Sequence, residues 1–158
     1  MVYYINMKKI SAGVIIADKY NILIGHATGK AEKHGYDIFK GGLNKHETPI
    51  EGVLRELKEE AGIKLKESDL IPLGVFTYTS KKSLCLFMYR SEDIKEEFPL
   101  STLKCKSFMP NIYYKHINKL IITEMDKFMH CPFTKLDHYL YRSLFPVVNT
   151  ILKKNKFE

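Results

Sequence analysis

The chain lacks most of the features that announce a function directly. Its three cysteines, Cys85, Cys105 and Cys131, are odd in number and far apart. No C-x-x-C spacing occurs, which excludes a zinc knuckle or a dithiol redox motif. Isolated cysteines point to a reducing, cytoplasmic setting. The six histidines are scattered, and no two fall at metal-ligand spacing on a helix. No apolar run approaches the ~20 residues of a membrane span. The run MKKISAGVIIA, from Met7 to Ala17, has the length of a leader's apolar core. A second apolar run, ILIGHA, follows DKYN at once, so the pair reads instead as a β-hairpin. There is no internal repeat and no low-complexity segment. No basic run with interleaved aromatics is long enough to form a nucleic-acid groove.

The 158 residues suit one domain, 1–158, whose last residues, 153–158, read as a frayed basic tail. Hydrophobic residues at 45% and charged residues at 27% describe an ordinary globular chain. Strands are expected at Ile10 to Ala17, Ile22 to His26, DIFK, Leu73 to Thr79, Leu84 to Tyr89, Lys104 to Phe108 and Lys127 to Phe133. A C-terminal helix is expected from Thr134 to Lys153, with Pro146 kinking it or starting a new one. This order implies an α/β fold with a mixed sheet between helices.

Charge is unevenly spread. The net charge is +7, yet Gly41 to Ile63 holds five acids against three bases, a local −2. Within it, Thr48, Pro49 and Glu51 spell a capped helix start, and Gly62 a left-handed stop. Ile50, Val53, Leu54, Leu57 and Ala61 form one apolar stripe along the helix. Glu56, Glu59 and Glu60 fall away from it, three and four residues apart, where like charges repel. Gly52 lies one turn before Glu56, and its missing side chain reads as room for a ligand. Arg55 stands four residues before Glu59 and can fix its rotamer. Such a face is either solvated or a site for hard divalent cations shared with phosphate, and the residues alone leave both open.

The same stretch resembles the signature of the Nudix hydrolases. Gly41 is followed after five residues by Glu47. After seven more come Arg55, Glu56, Leu57, Lys58, Glu59, Glu60, Ala61, Gly62 and Ile63. The resemblance implies an α/β/α sandwich and a Mg²⁺- or Mn²⁺-dependent hydrolase of nucleoside diphosphates linked to another group. It implies Glu56, Glu59, Glu60 and the Gly41 carbonyl as metal ligands, Arg55 as their orienting residue and Glu47 as a brace. Thr123-Glu124-Met125-Asp126 resembles a second, weaker word of the family, which makes Glu124 a further ligand or base alongside Glu59. Asp37-Ile38-Phe39-Lys40-Gly41-Gly42 departs from the family at Phe39, where many relatives have proline. Tyr36, Phe39 and Lys40 are the substrate-contact candidates, with Tyr113 and Tyr114 as further rings able to stack on a purine. The implied substrates are ADP-ribose, diadenosine polyphosphates or similar adenine nucleotides. An RNA 5′ end and a purely nucleotide-sensing role are the alternatives.

Overall fold

A computed structural model describes residues 9–109 and 122–155. Tyr113 and Tyr114 lie outside the described residues. The described strands build one mixed sheet: β1 (Lys9–Ala17), β2 (Asn21–Ala27), β3 (Tyr36–Asp37), β4 (Phe39–Gly42), β5 (Ile71–Thr79), β6 (Lys82–Arg90) and β7 (Met125–Pro132). The strand order is β3-β2-β1-β6-β5, with β4 paired to β1 and β7 to β2.

The expected β1–β2 hairpin forms at its turn and then opens. Ala17 pairs with Ile22, and Asp18 Oδ1 accepts the N–H groups of Tyr20 and Asn21 at 2.9 and 2.8 Å. Beyond that point the two strands take other partners. β1 runs parallel to β6 from Lys9↔Lys82 to Ala17↔Arg90, and β4 occupies its other edge from Ser11↔Gly42 to Val14↔Phe39. β2 pairs antiparallel with β7 from Asn21↔Pro132 onward.

Alternation along β1 divides the core in two. Ala12, Val14 and Ile16 face one layer, where α1 (Pro49–Ala61) buries Val53, Leu57 and Ala61 with Phe39 and Phe87. Ile15 and Ala17 face the other, where α4 (Phe145–Lys154) buries Val148, Ile151 and Leu152. Two apolar helix faces on opposite sides of one sheet give the α/β/α sandwich.

The C-terminal helix is not continuous. A short α3 (Leu136–Tyr139) ends where Leu140 turns extended and bridges to Tyr36, and α4 starts afresh with Pro146 in its first turn. The helix carries Lys153 and Lys154 in its last turn. The expected strand at Lys104 to Phe108 is absent apart from a single bridge, Phe108↔Thr123. Its amides go elsewhere: Lys104 N–H to the Ala61 carbonyl at 3.1 Å, and Lys106 N–H to the Glu59 carbonyl at 2.6 Å. The segment therefore satisfies carbonyls that the last turn of α1 would leave unpaired. A short helix missed from sequence, α2 (Ile94–Glu97), is held by Asp18 Oδ2, which accepts the Ile94 N–H at 2.9 Å.

Candidate active site

Local chemistry sets the start and end of α1. The Glu51 N–H donates to Thr48 Oγ1 at 3.3 Å, and the Thr48 N–H donates to Glu51 Oε1 at 3.2 Å. Gly62 closes the helix at φ 73°. The helix is thus aimed by its own caps, and its acidic residues are carried to the edge where β4 ends at Gly41–Gly42.

Arg55 organises that edge. Its Nε and Nη2 grip both oxygens of Glu47 at 2.8 Å each, and Nη2 also donates to the Gly42 carbonyl at 3.0 Å. Nη1 donates to Glu56 at 2.8 Å and reaches Glu59 at 3.4 Å. The guanidinium beside Glu47, together with the Asn44 N–H, holds that carboxyl down at about 2. Arg55 itself is held firmly charged, first by Glu47. A planar fork shared among three carboxylates and a carbonyl is a role lysine could not fill.

Glu60 is the most deeply placed of the three acids on this face. It is 5% exposed and accepts the Lys40 N–H at 2.8 Å. Burial, then the neighbouring charges of Asp37, Glu56 and Glu124, push its carboxyl up to about 9. Glu56 is raised too, chiefly by burial; Arg55 opposes the shift, and Glu59 and Glu124 add to it. Glu124 comes from the far end of the chain. Its N–H donates to the Ser107 carbonyl at 2.8 Å, and its own carbonyl accepts the Thr28 N–H at 3.0 Å. The strap from Lys104 to Ser107 thus ties the end of α1 to Glu124. Glu56, Glu59, Glu60 and Glu124 belong to one mutually repelling group, which gains from a cation among them.

Among the described residues, no three histidine, cysteine, aspartate or glutamate side chains are drawn into a ready-made ligand set. Arg55 draws Glu56 and Glu59 to itself, and the Lys40 amide draws Glu60. The residues still fit a hard divalent ion. Their donors are all oxygen. A Cβ on Gly41 would lie 2.2 Å from Glu56 Oε1, so only glycine lets that backbone meet the carboxylate.

Three readings need correcting. Tyr36 and Phe39 are each 1% exposed, Tyr36 edge-on to Tyr139 and Phe39 against Phe128, so neither ring is offered to a base. The Lys40 ammonium faces Asp37 at 3.2 Å, with the Tyr78 ring 5.8 Å away, rather than open solvent. Burial works against that ammonium, but Asp37 outweighs it and keeps it charged. Gly52 does not clear room for a ligand: a Cβ there would meet Leu43 Cδ2 at 2.4 Å, so it admits the preceding loop. The signal for Tyr36 lay in its strand neighbours. The packing of Gly52 gave no local signal.

The sheet between two helix layers, the capped helix and its acidic edge define an α/β/α sandwich with a carboxylate-rich rim. The chain belongs to the Nudix family: the NUDIX domain model matches residues 7–107. It is a Nudix hydrolase of α/β class. An uncharacterized 17.7 kDa protein of Enterobacteria phage T4 is 32% identical over 154 residues, 93% of this chain and 97% of that protein. An 8-oxo-dGTP diphosphatase of Proteus vulgaris is 40% identical over 63 residues, 39% of this chain and 56% of that protein. An RNA pyrophosphohydrolase of Zymomonas mobilis is 37% identical over 51 residues, 32% of this chain and 33% of its own length. In fold, the NUDIX domain of Shewanella oneidensis NrtR, solved with ADP-ribose, covers 97% of this chain and 96% of its own, with a TM-score of 0.65 at 9% identity.

Proposed function

We propose that the chain hydrolyses the pyrophosphate link of a nucleoside diphosphate derivative with Mg²⁺ or Mn²⁺. The observation that carries this reading is the Arg55 hub, which holds Glu47, Glu56 and Glu59 beside the Gly41–Gly42 turn, with Glu56 packed against Gly41 and Glu60 on the Lys40 amide. Glu56, Glu59, Glu60, Glu124 and the Gly41 carbonyl would hold the ion. When bound, it would supply charge neutralisation for the diphosphate and make water a better nucleophile at neutral pH.

Glu59 or Glu124 takes the proton from the attacking water. Arg55 keeps Glu56 and Glu59 in place while charge gathers on the phosphate. Preorganised charge of this kind contributes more than the base, because phosphoryl transfer is mainly a problem of positioning and electrostatics. The full set of carboxylates weighs against a sensor that binds nucleotide without cleaving it.

Adenine nucleotides such as ADP-ribose and diadenosine polyphosphates remain the first substrates proposed, although burial of Tyr36 and Phe39 withdraws two of the rings expected to select them. The RNA 5′ end is the second reading. The +7 net charge favours it, as does the 37% match to a protein named an RNA pyrophosphohydrolase. Among the described residues no helix is long and apolar enough to cross a membrane. Cys85, Cys105 and Cys131 are all free thiols, consistent with a cytoplasmic site of action. A substrate panel with Mg²⁺ decides the matter: ADP-ribose, a diadenosine polyphosphate, 8-oxo-dGTP and a 5′-triphosphorylated RNA. Release of phosphate or nucleoside monophosphate from one of them is expected. Binding of all four without release from any would leave only the sensor.

A further inference from the structure

Lys40 raises a problem for a cation site. It is a cation on the strand whose amide anchors Glu60: the Lys40 N–H donates to Glu60 Oε1 at 2.8 Å, so the Lys40 side chain starts beside that carboxyl. A lysine able to swing onto Glu60 would occupy the place of the metal. Its stem is pinned first: Lys40 pairs with Gly13 across β1 and β4, and the missing Gly13 side chain leaves room for Lys40 Cβ. A Cβ on Gly13 would lie 2.9 Å from it. The head is then turned to Asp37, three residues earlier, at 3.2 Å. The two side chains are only 20% and 13% exposed, so water offers the ammonium little alternative.

We infer that Asp37 is a positioning residue: by holding the Lys40 ammonium it keeps that charge off Glu60 and leaves the carboxylate for a divalent ion. The inference rests on the metal-dependent reading above. It makes an unusual demand. Losing Asp37 should harm metal binding, and then losing Lys40 as well should restore it. A partner that only shaped the fold would not be rescued by a second loss.

The test is Mn²⁺ affinity, followed by electron paramagnetic resonance of the free ion, on the full chain with folding checked by circular dichroism. Asp37→Asn is expected to weaken Mn²⁺ binding about tenfold or more, the scale seen when groups that orient metal ligands are removed. Asp37→Asn/Lys40→Met is expected to return to within about threefold of wild type, and Lys40→Met alone to stay within the same range. Wild-type affinity in Asp37→Asn overturns the inference, as does a double variant as weak as the single one. A tenfold loss in Lys40→Met also overturns it, and this arm decides the question even if Asp37→Asn does not fold. A wild-type chain that binds no Mn²⁺ sinks the metal-dependent reading itself. One that binds Mn²⁺ and shows the rescue, yet cleaves nothing in the substrate panel, leaves this inference standing and removes only the hydrolytic reading.

Discussion

At the scale of single residues, the groups proposed for chemistry and the groups that serve the fold make different predictions. Glu59→Gln or Glu60→Gln is expected to lower turnover by orders of magnitude with the circular dichroism spectrum unchanged; a variant with near-normal turnover would take that residue out of the central role. Asp18 is a fold residue of similar intensity. Burial opposes its charge, but the N–H groups of Ile94, Tyr20 and Asn21 outweigh that and hold its carboxyl below the usual 3.8. A depressed carboxyl stabilises the folded state above its unfolded value, and this contribution disappears as pH falls through the folded one. The wild type should therefore lose stability below about pH 4 more steeply than Asp18→Asn, as read by urea midpoints across pH. Equal slopes would remove Asp18 from the acid limb. Asp18→Ala should destabilise at neutral pH by about 3 kcal/mol, because three amides lose their acceptor. The pairing of Arg55 with Glu59 was legible in the sequence because the two stand one helical turn apart. Asp18 was not: its third partner, Ile94, is seventy-six residues away.

At the scale of elements, α1 was readable almost to the residue, since Thr48, Glu51 and Gly62 act within a turn of their own position. Thr48→Ala should lower stability by about 1 kcal/mol, a fall of roughly 3 °C in Tm. The measurement is thermal unfolding, and an unchanged Tm would show that the exposed cap contributes nothing. The segment before β7 was misread for the opposite reason. Lys104 to Phe108 alternates well enough for a strand, but its amides are claimed by the carbonyls of α1, a choice made by tertiary packing. The C-terminal stripe from Leu136 to Ile151 was correctly apolar, yet the pairing of Leu140 with Tyr36 divides it into two helices. Periodicity reports which face is buried, not whether the backbone stays helical between the buried positions.

At the scale of the whole molecule, the proposed site draws on residues 41 to 60 and on residue 124, whose backbone is tied to the strap over α1. A divalent ion that binds only the assembled site should stabilise the entire fold. At one hundred times its dissociation constant, Mn²⁺ should add about 2.7 kcal/mol. That corresponds to a rise in Tm of several degrees, reversed by chelation. A Tm indifferent to both Mn²⁺ and chelator would place the ion elsewhere or nowhere. The same architecture bears on biosynthesis. β2 meets β1 only at the turn and takes its long partner from β7, which leaves the ribosome a hundred residues later. Until then the nascent chain carries a bare, apolar strand edge, the kind that recruits other chains. A fragment ending before residue 122 should therefore collect in inclusion bodies, while the 158-residue chain stays in the supernatant.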